Sequence, residues 1–93
     1  MSERNPWENA EPRLKRLLYL ARHRGTKECD LIVGGFAEEA LLSLTTAEIE
    51  AFERLLDVPD QELYDWIAGR RDVPPAFDTP LFRRMQARPL TAR

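Results

Sequence analysis

Arg22-His23-Arg24-Gly25-Thr26-Lys27-Glu28-Cys29-Asp30 lies between two apolar segments with helical spacing. It carries the signals that end one helix and begin another. Gly25 suits the left-handed backbone position that terminates a helix. The Thr26 hydroxyl can cap the next helix, which places Glu28 in a first turn, where the helix dipole favours negative charge. The stretch reads as a glycine turn displaying opposite charges. The sign of the chain also changes here. Residues 12–27 hold Arg13, Lys15, Arg16, Arg22, Arg24 and Lys27 with no acid, whereas residues 28–65 hold eleven acids against the single base Arg54.

Working outward, the fold class is all-α. Apolar residues recur at helical spacing, and no segment shows sustained strand alternation bounded by hairpin chemistry. The first helix is expected from Pro12, an acceptable first-turn residue, to about Arg22, with Leu14, Leu17, Leu18 and Ala21 on one face. The second, about residues 27–42, is expected to bury Leu31, Ile32, Phe36 and Leu41. It contains Gly34-Gly35, which costs about 2 kcal/mol relative to two alanines. Close approach of a neighbouring helix explains the pair better than a hinge. Thr45-x-x-Glu48 is a capping box opening a third helix with Ile49, Phe52 and Leu56. Pro59-Asp60 separates it from a fourth, which carries Leu63, Tyr64, Trp66 and Ile67 and stops at Gly69; the short link makes the third and fourth helices expected neighbours. Residues 70–79, with Pro74-Pro75, form a connector, and Thr79-Pro80 opens a last helix to about Arg88. The expected architecture is a compact five-helix bundle in a single small domain over residues 12–88, with flexible tails at 1–11 and 89–93. Trp7, in a polar stretch, is either a docking residue or a cap over the bundle.

At 93 residues the chain buries only about 60–65% of its unfolded surface. Such a protein works more easily through its outer surface than through a deep private cleft. No run approaches the roughly 18 apolar residues of a membrane helix. Glu3, Glu8 and Glu11 against Arg4 give the wrong balance for a transit peptide, so a bacterial cytoplasmic location is expected. The single cysteine, Cys29, excludes an intramolecular disulfide and fits a reducing compartment.

Catalytic chemistry has little to draw on. Cys29 and His23 are the only residues of their kinds, no orienting third group accompanies them, and Cys29 falls where a core residue is expected; a buried, inert thiol is the reading. One Cys and one His do not supply a structural zinc site. Gly34-Gly35 lacks both the dinucleotide fingerprint and a Walker lysine. By position alone, Arg24 and Glu28 form a solvated ion pair worth at most about 1 kcal/mol. Trp66 reads as core, and Tyr64 as partly exposed.

The element Arg24-Gly25-Thr26-Lys27-Glu28 followed by Asp30-Leu31 resembles the RGxxE signature of the SdhE family, the small flavinylation and assembly factors of succinate dehydrogenase. The resemblance extends to the basic apolar helix Arg13-Leu14-Lys15-Arg16-Leu17-Leu18-Tyr19, to Phe36-Ala37-Glu38, to residues 51–57, and to Asp60-Gln61-Glu62-Leu63-Tyr64-Asp65-Trp66-Ile67. It covers roughly residues 13–70 in order. It implies an assembly chaperone, not an enzyme, that binds the flavoprotein subunit of succinate dehydrogenase, and of fumarate reductase too, and promotes covalent FAD attachment. FAD would be the client's cofactor, with none bound stably by this chain. Carried over residue by residue, Arg24, Gly25 and Glu28 form the centre of the client-binding surface, with Asp30 supporting and Tyr64 extending it. His23 stands where the family often has a second arginine. A free monomer with no nucleic-acid partner and no membrane insertion is expected.

Two rivals stand beside this reading. A nucleic-acid module would use the acid-free segment 12–27 on a helix-turn-helix, but the second helix is acidic and the chain's pI is about 5.4. A regulatory helical interaction domain of antitoxin type is the other.

Overall fold

The computed structural model describes residues 5–88. Five α-helices appear in order: α1 (Pro12–Arg22), α2 (Lys27–Ala40), α3 (Thr46–Leu56), α4 (Asp60–Ile67) and α5 (Pro80–Gln86). Short 3-10 turns at Leu41–Ser43 and Pro75–Phe77 link them, and among the described residues no strand forms. The expected all-α, five-helix architecture is the one observed, and each expected helix is present.

The local chemistry accounts for the boundaries. Pro12 occupies the first turn of α1, which closes where the His23 N–H reaches the Leu20 carbonyl. The Thr26 hydroxyl accepts from the Cys29 N–H and caps α2. Thr45 and Glu48 form the reciprocal capping box of α3, and Thr79 caps α5 over Pro80. Gly25 and Gly69 alone carry positive φ among the described residues, +116° and +80°; both follow helix ends, where a left-handed residue breaks the ladder.

α1 lies closely along α2. Gly34 makes this possible: a Cβ there would sit 3.2 Å from the Arg22 Cα and 3.4 Å from the Ala21 carbonyl oxygen. Gly34 thus has the packing reason expected of the pair, whereas Gly35 faces the Arg88 guanidinium and no helix backbone. Phe52, Phe82, Leu41, Leu55, Leu63, Leu81, Met85 and Val33 are fully buried at the centre, with the Phe36 and Phe52 rings 6.1 Å apart.

One expectation changes, and two are refined. Leu31 is exposed, because the buried stripe of α2 runs through Cys29, Ile32, Val33, Phe36, Ala37 and Ala40, and residue 31 lies off it. α4, which follows α3 across the short link at Val58-Pro59, also packs on α2. Trp7 is buried in the core cluster, which makes it a cap over the bundle; its backbone N–H donates to Asn5 Oδ1 at 2.9 Å. The remainder of the expected tails, residues 1–4 and 89–93, lies outside the described residues.

Candidate functional site

The turn between α1 and α2 is tied down from two directions. From the front, the Asp30 carboxylate, in the first turn of α2, folds back and accepts the backbone N–H groups of Arg24 and Gly25. From behind, the Arg24 guanidinium reaches into the junction of α3 and α4. Its Nε donates to Asp60 Oδ1 at 2.8 Å, Nη1 to the Leu56 carbonyl and Nη2 to the Val58 carbonyl. The Leu56 carbonyl belongs to the last turn of α3, where oxygens lack intrahelical partners and carry the negative end of the helix dipole. A planar fork with a fixed charge suits three such acceptors better than an ammonium would.

This geometry revises the expected role of Arg24. Its side chain is only 8% exposed, so the guanidinium faces the protein interior and not a partner, and it does not pair with Glu28. A guanidinium at that burial is tolerated because each of its three nitrogens donates a hydrogen bond and one partner is a carboxylate. Glu28, in contrast, is exposed and has no ion-pair partner among the described residues. Gly25 is exposed beside it; the nearest heavy atom to a Cβ placed there is Asp60 Oδ2 at 3.4 Å.

Two shallow depressions flank the turn and share Asp60. One, of about 490 Å³, is lined by Leu20, His23, Leu56, Pro59 and Asp60 among others. The other, of about 270 Å³, lies between Thr26, Glu28, Asp60, Gln61, Tyr64 and Arg70. His23 and Tyr64 therefore stand on opposite sides of the turn. The His23 ring stacks on Tyr19 at 4.2 Å, and Tyr19 is 60% exposed. Tyr64 is half-buried, with the Arg70 guanidinium 5.4 Å above its ring. Of the six residues singled out in sequence, Gly25 and Glu28 form the exposed face, His23 and Tyr64 flank it, and Arg24 and Asp30 hold it in shape. Asp60 appears in the sequence only as the start of the fourth helix and of the resembling block; its link to the turn, like that of the Leu56 and Val58 carbonyls, went unseen because nothing local connects them to residue 24.

Cys29 is buried, with Sγ 3.6 Å from the Asp60 carbonyl. Burial pushes its thiol pKa up, partly opposed by the hydrogen bond with Thr26. It engages α4 while His23 stacks outside, so the two do not form a nucleophile and base pair. Among the described residues no cluster of three or more His, Cys, Asp or Glu side chains is placed to hold a metal, and no helix is long and apolar enough to cross a membrane.

Half of the bases of residues 12–27 find an acid of the later chain. Arg13 pairs with Glu53 at 2.7 Å, Arg22 with Glu38 at 2.9 Å and Arg24 with Asp60. The basic first helix thus meets the acidic remainder within one chain.

Fold and site together define a small all-α domain whose principal polar construction is an arginine-braced surface turn. The model of the family described as "flavinator of succinate dehydrogenase" matches residues 15–89, and the chain belongs to that family. The FAD assembly factor SdhE of Acetobacter pasteurianus is 42% identical over 78 residues, covering 84% of this chain and 72% of the relative. The mitochondrial succinate dehydrogenase assembly factor 2 of Mycosarcoma maydis is 42% identical over 67 residues, 72% of this chain and 28% of the relative. That of Cryptococcus neoformans is 40% identical over 72 residues, 76% of this chain and 41% of the relative. The chain therefore spans most of the bacterial relative but less than half of these fungal ones.

Proposed function

We propose that this chain is an assembly factor that binds the flavoprotein subunit of succinate dehydrogenase and promotes covalent attachment of FAD to it, with fumarate reductase as a second client. The observation that carries this reading is the placing of an exposed Glu28 carboxylate, without an ion-pair partner among the described residues, beside the bare backbone of Gly25 on a turn braced by Arg24, in a chain belonging to the flavinator family. A glycine lets a partner's surface approach the main chain, and a carboxylate beside it offers a charge-assisted hydrogen bond.

In this reading the bond joins a client histidine to the flavin's methyl carbon, and the flavin and client residues carry out the bond-making. The factor holds the client in the arrangement from which that reaction proceeds. Preferential binding of one client conformation is sufficient, and no acid or base from this chain is required. His23 and Tyr64, on either side of the turn, widen the contact.

The test is in-gel flavin fluorescence of the succinate dehydrogenase flavoprotein from bacterial cells lacking this protein, complemented with wild type, Glu28→Ala or Gly25→Arg. Wild type restores the fluorescent band and both variants fail to. An unchanged band in the deletion strain would remove this role for that client.

A further inference from the structure

We propose that Asp60, outside the turn, is a positioning residue for the Gly25–Glu28 face, acting through Arg24; the inference rests on the docking role proposed above. Of the three acceptors that surround the Arg24 guanidinium, two are backbone carbonyls, and the one side chain is Asp60, 36 residues downstream. Neutral carbonyls alone leave a nearly buried guanidinium without a counter-charge, and such a group turns out toward water. Arg24 immediately precedes Gly25, which has no side chain to fix its own positive φ. Without the guanidinium anchor, residues 24 and 25 keep only the hydrogen bonds of their N–H groups to the Asp30 carboxylate.

Asp60 also backs the turn directly. Its Oδ2 lies 3.4 Å from where a Gly25 Cβ would stand, and its carbonyl accepts from the Cys29 thiol at 3.6 Å. The carboxylate is 19% exposed, and it forms part of the wall of both depressions. The labour is thus divided between two acids: Glu28 meets the partner, and Asp60 fixes where Glu28 and Gly25 stand.

The experiment is a double-mutant cycle on the affinity of the full chain for the FAD-loaded flavoprotein subunit, using wild type, Glu28→Ala, Asp60→Ala and both together. Each single change weakens binding by about tenfold or more, and the double variant stays within about threefold of Asp60→Ala alone, because Glu28 on a loosened turn has little left to lose. Losses that multiply, or an Asp60→Ala affinity equal to wild type, overturn the proposal. Arg24→Lys serves as a second variant that keeps the charge but cannot reach all three acceptors, and it behaves as Asp60→Ala does.

Hydrogen exchange in the free chain separates the two readings. Exchange at the Arg24 and Gly25 amides accelerates by about tenfold or more in Asp60→Ala and not in Glu28→Ala. Unchanged exchange there overturns the positioning role whatever the client does. A wild-type chain that fails to bind the flavoprotein overturns the docking role, and the amide measurement still decides the brace.

Discussion

At the scale of single residues, Gly25 and Glu28 differ in what their loss costs. Glu28 makes no side-chain hydrogen bond or ion pair among the described residues, so Glu28→Ala is expected to leave the unfolding free energy within about 0.5 kcal/mol of wild type while removing client maturation, as read by calorimetry beside the flavin gel. Gly25 holds φ +116°, and a side chain there is strained by roughly 1–3 kcal/mol whatever space surrounds it. Gly25→Arg should therefore keep its helical circular dichroism but melt several degrees lower. Cys29 gives a pH signature. Its thiol pKa is raised by burial, so the stability it contributes is complete below the unfolded value of about 8.5 and declines as pH rises from there toward the folded value. Urea midpoints measured on either side of that pH should fall for wild type and fall less for Cys29→Ala. The inert character of this thiol and the left-handed Gly25 were legible from residue type and position. The inward turn of Arg24 was not, since its partners lie more than thirty residues away and periodicity speaks only of neighbours one helical turn apart.

At the scale of elements, the two adjacent glycines of α2 should respond with opposite signs. In Gly34→Ala the new methyl meets the backbone of α1 at 3.2 Å. Since α1 lies along α2 there, the helices must separate, at a cost of about 1–3 kcal/mol that exceeds the propensity gain. In Gly35→Ala the obstacle is the far end of the Arg88 side chain at 2.9 Å, which can swing aside, so the gain of up to about 1 kcal/mol in helix propensity survives. Chemical denaturation of the two variants checks the contrast. Helix starts were legible because caps are short-range devices: the Thr45 and Glu48 box, the Thr26 cap and the Thr79-Pro80 start sit where the sequence put them. The exposure of Leu31 was not legible, because several apolar residues cluster there and only the packing of α2 on its neighbours decides which of them turns inward. The packing of α4 on α2 was likewise invisible, since it rests on contacts distant in sequence, such as that of the Cys29 thiol with the Asp60 carbonyl.

At the scale of the whole molecule, the charge sequence misleads when read along the line. Six bases followed by eleven acids suggest a cationic face, yet Arg13, Arg22 and Arg24 are met by Glu53, Glu38 and Asp60 once the chain folds. The folded chain is therefore expected to pass through a heparin column at about 150 mM salt, and retention there would revive the nucleic-acid reading. The braced turn carries a last consequence, in the time course of association. A loop that must freeze on contact gives up about 0.5–1.5 kcal/mol for each side chain it immobilises. Here the main chain of residues 24 and 25 is already held by Asp30, and the one long side chain among them is already locked behind the surface. A partner that docks on this face meets a finished shape, so the rate of complex formation is set by how often the two surfaces collide in register and not by waiting for a loop to fold.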